Sequence, residues 1–284
     1  MIQIKAEMLR RDFLIRSALL GAAGSATLRR AWARKKIPIG VQLYCVRREL
    51  AQNFDETMEA VAGIGFEGVE FADYFKRTAK QLRKCLDDNG LRCCGTHIYL
   101  SDMQGDKLKE TVEFNQILGN QYLIVRWLDQ KQLATPAAFA KTVAAFRQVA
   151  ENLQPHGMRV GFHNHEHIFD RHQGKMLWNI LADETPREVI LQLDTGNASM
   201  REGVDVIQLL ERNPGRTATI HIKPYSAKNP NAYVGEDELN WPRIIELCET
   251  TAGTEWYIIE YEREGIPPLK ALKDNYVRFK KMLS

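Results

Sequence analysis

The sequence lacks several features that would mark a special class of protein. Its 284 residues include only 10 prolines and 19 glycines, which is too few for a collagen-like or a disordered chain. No uninterrupted apolar run approaches the roughly 20 residues that a membrane-spanning helix needs. The five cysteines are odd in number and lack C-x-x-C spacing. We therefore predict no zinc ribbon and no dense disulfide framework, and expect one or two ordinary globular domains.

A strong excess of one charge is also missing once the N-terminus is set apart. The chain holds 39 basic and 36 acidic side chains, which gives a formal net charge of +3. Residues 1–36 contain nine of the basic and two of the acidic side chains. The rest of the chain therefore has 30 basic and 34 acidic side chains, which gives it a net charge of −4. A mildly acidic body lacks the basic surface that follows a phosphate backbone. We therefore expect no nucleic-acid partner.

The basic N-terminus has the layout of a signal peptide. Arg10 and Arg11 precede a weakly apolar stretch at residues 18–28, which is followed by the small residues Ala31 and Ala33. This layout resembles a twin-arginine export signal. It predicts cleavage after Ala33, a periplasmic or exported protein, and no membrane association after cleavage. The alternative is a basic amphipathic helix that stays attached, because further arginines interrupt the apolar stretch.

The rest of the chain alternates short apolar runs with segments of helical length. The runs start roughly 25 to 40 residues apart, and the segments between them have apolar positions three and four residues apart. Such alternation favours parallel strands with right-handed crossovers, and eight strands in about 250 residues are typical of a (β/α)8 barrel. The predicted strands lie at residues 37–44, 68–71, 91–98, 121–127, 158–163, 189–194, 217–222 and 256–261.

We therefore predict a signal peptide at residues 1–33 and a single-domain α/β fold, a (β/α)8 TIM barrel, at residues 34–284. A doubly wound open sheet is the alternative, since periodicity alone does not distinguish the two. Asn53, Ser101 and Thr135 are the candidate N-caps of three helices between the strands.

Polar and ionisable side chains stand at the end of almost every predicted strand. In a barrel of this type the carboxyl ends of the strands meet at one mouth, where active sites lie. One buried polar residue is weak support for a site, but six or more that converge indicate function. These residues are Gln42, Glu70, His97, Arg126, His163, Asp194, His221 and Glu260.

The carboxylates among these residues point to a metal. If Asp194 and Glu260 were buried together, the pKa of one would rise unless a cation neutralised them. With the imidazole of His221 and a further ligand from the fifth strand, they form a mixed nitrogen and oxygen set. Such a set suits one divalent metal ion, for which Mn, Co, Zn and Mg are the candidates.

The fifth strand ends in a cluster of histidines. His163, His165 and His167 occupy alternate positions and would share one face if the strand continued through them. Because continuation is doubtful, we expect His163 inside the mouth and Glu166 on the following loop, as an acid or base or as an extra ligand. His167 is interpreted as an exposed loop residue.

Six short motifs follow one another along the chain: GVE at 68–70, GFHNHE at 161–166, LDTGN at 193–197, HIK at 221–223, GEDELNW at 235–241 and IIE at 258–260. Together and in this order, they resemble the sugar phosphate isomerase/epimerase family, the xylose-isomerase-like barrels that also include endonuclease IV. The resemblance extends over residues 37–283, and it implies a metal held by His163, Asp194, His221 and Glu260.

The chain departs from the family pattern at three positions. Many members have a glutamate where His163 stands, so this site is one charge less negative. Members often have a histidine in place of Asn197 and a glycine in place of Asp237. The resemblance therefore does not imply phosphate binding.

The resemblance implies a metal-dependent sugar isomerase or epimerase with a small-molecule sugar as its substrate. It would abstract a proton next to a keto-sugar carbonyl through a metal-stabilised enediolate. Glu260 is the expected base as well as a ligand, with Glu166 or Glu70 as its partner. The predicted catalytic residues are Glu70, Glu166, Lys223 and Glu260. The predicted substrate-binding residues are His97, Arg126, His165 and Asn197.

Other functions stay open. The same intermediate can expel a β-substituent, which would make the protein an exported 3-keto-glycoside lyase or hydrolase, or a dehydratase. A non-catalytic periplasmic sugar-binding module would keep the pocket without needing the metal. An endonuclease IV-like DNA enzyme is disfavoured by the acidic body. The oligomeric state is left open, with a homodimer as one option.

Overall fold

Eight parallel strands close into a barrel in the computed structural model, which describes residues 36–284. Each strand pairs with the next along the chain, and the eighth pairs with the first. The predicted (β/α)8 TIM barrel is therefore confirmed, whereas the predicted signal peptide lies outside the described residues. The strands are β1 (Ile39–Gln42), β2 (Gly68–Phe71), β3 (Arg92–Ile98), β4 (Tyr122–Val125), β5 (Arg159–His163), β6 (Ile190–Asp194), β7 (Thr219–Ile222) and β8 (Trp256–Ile259).

Helices connect the strands and follow the last one. Within residues 36–284, no helix is both long and apolar enough to cross a membrane. The α-helices are α1 (Arg47–Gln52), α2 (Phe54–Ile64), α3 (Ala79–Asp88), α4 (Lys107–Leu118), α5 (Gln130–Leu133), α6 (Pro136–Leu153), α7 (Leu177–Glu184), α8 (Thr195–Ser199), α9 (Val206–Arg212), α10 (Trp241–Thr250) and α11 (Pro268–Met282). Shorter 3-10 turns lie at Leu43–Val46, Leu100–Met103, Gln154–His156 and Glu166–Phe169.

Two of the three predicted helix caps are confirmed. The side chain of Asn53 accepts a hydrogen bond from the backbone of α2, and that of Thr135 accepts one from the backbone of α6. The prediction for Ser101 is wrong, because this residue lies inside the turn Leu100–Met103 and α4 begins only at Lys107.

The first predicted strand is also too long at its C-terminal end. Strand β1 ends at Gln42 because the side-chain oxygen of Gln42 accepts a hydrogen bond from the Tyr44 amide, at 3.0 Å. This bond caps the turn Leu43–Val46 and bends the chain away from the barrel axis.

Alternate positions along each strand separate the outer core from the barrel interior. In β6, Leu191 and Leu193 pack in the large outer core, as does Val189 directly before the strand, whereas Ile190 belongs to a smaller buried cluster. That cluster also contains Cys94, Tyr122, Ile124, Ala218, Trp256 and Ile258. These residues lie in the barrel strands or directly before them. Because Gln192 and Asp194 alternate with Leu191 and Leu193, they share the interior side of the strand with Ile190.

Candidate metal centre and substrate cavity

The four residues predicted to share a metal lie together at the carboxyl ends of β5 to β8. His163 ends β5, Asp194 ends β6, His221 lies in β7, and Glu260 directly follows β8. All four are buried, and one ligand atom from each lies within 4.8 Å of the other three. Two ligands on opposite sides of a divalent cation are about 4 to 5 Å apart. The four side chains are therefore close enough to bind one ion.

Asp194 has an oxygen that the protein leaves without a partner. Its Oδ1 accepts a hydrogen bond from the Asn197 amide, at 2.6 Å, and so caps α8. Its Oδ2 is buried and has no hydrogen-bond partner. That oxygen lies 3.8 Å from His221 Nδ1, 3.8 Å from Lys223 Nζ and 3.9 Å from His163 Nε2. Burial raises the pKa of Asp194 to about 6, although Lys223 opposes the shift. An unpaired carboxylate oxygen that faces two imidazoles fits a metal cation.

His221 is held between two carboxylates. Its Nδ1 lies 2.6 Å from Glu260 Oε2, and its Nε2 lies 2.6 Å from Glu70 Oε2. Burial alone would lower the pKa of His221, but Glu70 and Glu260 raise it to about 10. A metal on Nδ1 would take the place of one proton and leave Nε2–H bonded to Glu70. Glu70 is thus placed to orient a ligand rather than to touch a substrate.

Glu70 is completely buried and stays ionised. Burial raises the pKa of Glu70, but the nearby imidazoles of His97 and His221 outweigh it and hold the value well below its usual range. Gln42 and Gln192 each donate a hydrogen bond to its carboxylate, at 2.8 Å. The structure therefore brings Glu70 to the cluster, but behind His221 rather than into the open cavity.

Two glycines leave the space that the charged side chains occupy. A Cβ atom on Gly95, in the strand next to Glu70, would lie 2.5 Å from Glu70 Oε1. A Cβ atom on Gly196 would lie 2.7 Å from Cγ of Lys223. Both distances are shorter than any normal contact, so a larger residue at either position would displace a charged group of the site.

Lys223 and Glu260 form a buried ion pair at the edge of the cluster. Lys223 Nζ donates a hydrogen bond to Glu260 Oε1, at 2.7 Å. Burial raises the pKa of Glu260, but Lys223 and His221 outweigh it and hold it well below its usual range. The carboxylates of Glu70, Asp194 and Glu260 exceed the Lys223 ammonium by two charges. A divalent cation would therefore neutralise the cluster with both histidine ligands in their neutral form.

Gln192 connects the ligands, and sequence reasoning missed it. Its Nε2 donates to Glu70 and to Thr219 Oγ1, both at 2.8 Å. Because the carboxylate can only accept, the amide oxygen must face the two histidines. It accepts from His97 Nε2 at 2.9 Å and from His163 Nδ1 at 3.0 Å. His163 Nε2 then carries the lone pair, which accepts a long hydrogen bond from Asn197 Nδ2, at 3.4 Å, and which a bound metal would take instead. The available signal was a polar residue two positions before Asp194 in an apolar strand.

We expect Gln192→Leu to lower the free energy of unfolding by about 3 kcal/mol or more, because each buried polar group that loses its partner costs about 1–3 kcal/mol. Thr219→Val, which removes one of the same hydrogen bonds, is the matched control and should cost about 1 kcal/mol. Urea unfolding of the metal-free proteins measures both. Equal stabilities of the two variants would contradict the role assigned to Gln192.

A cavity of about 330 Å³ opens above the cluster. Lys223 and Glu260 line it, together with the predicted substrate-binding residues His97, Arg126 and His165. Arg126 is held in place by a hydrogen bond to the Ala72 carbonyl oxygen, at 3.1 Å. Glu262 also lines the cavity and was not predicted, although it stands only two residues after Glu260.

Like Glu70, the predicted residues Glu166 and Asn197 do not line this cavity. Glu166 begins the turn Glu166–Phe169, where its half-exposed carboxylate lies 3.6 Å from His167 Nε2. This turn follows the end of β5 at His163, so that Glu166 lies outside the strand. Asn197 is buried in α8, where its amide donates to the Asn164 carbonyl oxygen at 3.0 Å. Neither residue is among those that line the mouth.

Exposed aromatic rings gather at the mouth. Among residues 36–284, the exposed aromatic side chains are those of Tyr44, Tyr99 and Trp127. Tyr44 and Trp127 line the cavity, and the Arg126 guanidinium lies 4.2 Å from the centre of the Tyr99 ring. Amphipathic rings around a cavity that ionisable side chains also line suit a ligand with both polar edges and apolar faces, as a sugar has.

Comparison with known proteins agrees with this architecture. A profile of the xylose isomerase-like TIM barrel family matches residues 58–282. The chain belongs to this family. The four candidate metal ligands, at the C-terminal end of the barrel strands, therefore lie where barrel enzymes place their active sites.

Individual relatives of this xylose isomerase-like barrel are distant. An inosose dehydratase of Erwinia tasmaniensis is 24% identical over 191 residues, which cover 60% of this chain and 63% of the dehydratase. The match thus spans less than two thirds of that relative. A sugar phosphate isomerase/epimerase from Parabacteroides distasonis has a TM-score of 0.73 at 20% identity and covers 85% of this chain and 97% of its own. An L-ribulose 3-epimerase has a TM-score of 0.66 at 15% identity, and the match covers 87% of this chain and 94% of the epimerase. These structures share the fold.

Proposed function

We propose that the protein is a metal-dependent enzyme of the sugar isomerase and epimerase type, which removes a proton next to the carbonyl group of a keto-sugar. The unpartnered Oδ2 of Asp194 carries the proposal, since it lies near two imidazoles next to a cavity of about 330 Å³ that ionisable side chains line. His163, Asp194, His221 and Glu260 would hold the ion. A bound divalent cation would polarise the carbonyl and stabilise the negative charge that develops as the proton leaves.

Glu260 is the base in this proposal. It is ionised, it lines the cavity, and its Oε1 is fixed by the Lys223 ammonium at 2.7 Å. Lys223 also lines the cavity and is placed to donate a proton or a hydrogen bond to a substrate oxygen. His97, Arg126 and His165 supply further polar groups for hydroxyls, while Tyr44 and Trp127 supply apolar surface.

One observation favours β-elimination as a second candidate. Epimerisation needs an acid or base on each face of the reacting carbon. The carboxylates that line the cavity, Glu260 and Glu262, are both on the β8 side, whereas the β5 position holds His163. Elimination needs only a base and a nearby acid. Glu260 would take the proton, the carbon–oxygen bond at the β-carbon would break, and Lys223 would protonate the leaving oxygen. Dehydration or cleavage of a 3-keto-glycoside would follow.

An NMR experiment in D2O distinguishes isomerisation or epimerisation from β-elimination. The protein is loaded with Mn²⁺ and incubated with ketoses and 3-keto-glycosides. We expect exchange or turnover with at least one substrate, and none after removal of metal by a chelator. Isomerisation or epimerisation places deuterium at the carbon next to the carbonyl. Elimination instead releases the leaving group and gives an unsaturated ketone. Bound metal without exchange or product across the panel would contradict the proposal and favour a sugar-binding module.

A further inference from the structure

A second and larger cavity lies beside the metal-site cavity. It has a volume of about 530 Å³, and its walls come from the chain that follows β1 and from the loop that follows β8. Glu262 lines both cavities, so the two meet at this side chain. Each volume is within the roughly 300–1,000 Å³ of small-molecule sites. The two cavities are therefore adjacent, and a ligand that extends past Glu262 would contact both. We call the larger one the outer cavity and the metal-site cavity the inner cavity.

Charged groups of both signs line the outer cavity in equal number. Three are guanidinium groups and three are carboxylates, so that their formal charges cancel. A phosphate or sulfate would face three negative groups, and a cationic ligand would face three positive ones. The outer cavity thus favours a neutral, polar ligand. The six residues are Arg47, Arg48, Glu49, Glu262, Arg263 and Glu264.

Two of these carboxylates hold oxygens that lack a donor. Glu49 Oε2 and Glu262 Oε1 are buried, and neither has a hydrogen-bond partner. A buried acceptor without a partner is costly unless a ligand supplies the donor. The Arg48 side chain is exposed, and its guanidinium makes no hydrogen bond or ion pair with any group of residues 36–284. The outer cavity therefore offers a ligand two buried carboxylate oxygens as acceptors and the Arg48 guanidinium as a donor.

Hydroxyl groups satisfy both demands, since each one donates and accepts. A sugar ring carries several of them and has no net charge. Tyr44 stands where the two cavities approach each other, with the Arg47 guanidinium 3.9 Å from the centre of its ring. Tyr44 lines the inner cavity while Cys45 and Arg47 line the outer one. A ring is thus available at the junction for contact with a ligand that occupies both cavities.

We propose that the outer cavity is a subsite for a second, neutral sugar ring, so that the substrate is a disaccharide or another glycoside. This inference rests on the proposed function, which places the reacting ring at the metal centre. Glu49 and Glu262 accept hydrogen bonds from the hydroxyls of the second ring, and Arg48 donates to them.

Isothermal titration of the full-length, Mn²⁺-loaded protein with glucose and with maltose, cellobiose, trehalose and sucrose tests the subsite. We expect at least one disaccharide to bind tenfold or more tightly than glucose. Arg48→Ala should weaken that disaccharide about tenfold, as expected for a lost charged hydrogen bond, and leave glucose unchanged. Lys84→Ala, at an exposed lysine paired with Asp88 on α3, is the control and should change neither.

Two outcomes would overturn the subsite. One is equal affinity for glucose and for all four disaccharides. The other is an Arg48→Ala effect of the same size on glucose and on the disaccharide. Failure of the proposed function has a different signature, because the disaccharide would bind with the Arg48 dependence while 3-keto sugars showed no exchange and no product in D2O. Turnover without any preference for two-ring substrates would contradict the subsite alone.

Discussion

Glu260→Gln should reduce turnover by about 10³-fold, within the range observed for the loss of a general base. The amide keeps the size of the side chain but cannot accept the substrate proton, and it weakens the pairing with Lys223. Because Lys223 Nζ lies 2.7 Å from the carboxylate, the ammonium would lose its strongest acceptor. Steady-state kinetics at saturating metal measure the loss in kcat.

The control for this variant is His167→Ala. His167 lies in the turn Glu166–Phe169, is half-exposed, and is not among the residues that line the metal-site cavity. We expect it to retain most of the activity. If Glu260→Gln kept more than a tenth of wild-type kcat with its metal bound, Glu260 would not be the base.

Asp194→Asn should change stability in opposite directions with and without metal. The pKa of Asp194 is about 6 in the folded, metal-free protein and about 3.9 in an unfolded chain. The folded state therefore binds the proton more tightly, and the buried carboxylate lowers stability as the pH rises from about 4 to 6. The amide removes this penalty, so the metal-free variant should be more stable than the wild type at pH 7 and similar to it at pH 4.

Metal should reverse that order. A ligand that binds only the folded state raises the melting temperature, and the wild type should gain from added Mn²⁺ while Asp194→Asn gains little. Thermal unfolding with a chelator and with Mn²⁺, at pH 4 and pH 7, measures both effects. An unchanged Mn²⁺ response in the variant would remove Asp194 from the ligand set.

Asp237 provides a matched comparison for this experiment. Burial raises the pKa of Asp237 to about 6 as well, and its Oδ2 is also buried without a hydrogen-bond partner. Its Oδ1 accepts from Trp241 Nε1, at 2.8 Å, in a loop that does not line the metal-site cavity. Asp237→Asn should therefore show a similar gain of stability at pH 7 and keep the full response to Mn²⁺.

The barrel and the clustering of His163, Asp194, His221 and Glu260 were predictable because both depend on the local sequence pattern of the strands. Strand periodicity fixes which residues alternate, and parallel strands in a closed barrel bring their carboxyl ends to one mouth. Asp194 and Glu260 stand at such ends, so their proximity follows from the fold. The prediction needed no knowledge of how the side chains contact one another.

The roles of Glu70 and Glu166 depended on details that the sequence does not display. The pairing of β2 with β3 shifts register between Val69 and Glu70, and the carboxylate bonds to His221 behind the cavity. Glu166 lies in a turn whose start depends on where β5 ends, and it does not line the metal-site cavity. Gln192 makes hydrogen bonds to residues as far as 122 positions away in the sequence, and no local pattern reveals such contacts.

The missing side chain of Gly95 links two positions that lie 25 residues apart. Glu70 can be accommodated only while position 95 remains a glycine, because even a methyl group there would overlap its carboxylate. In any homologous barrel, an acidic residue at the position of Glu70, the first of the two, should therefore occur together with a glycine at the position of Gly95, the second. A chain that carries a larger residue at the second position would have to give up the buried acid, and with it the support for its histidine ligand.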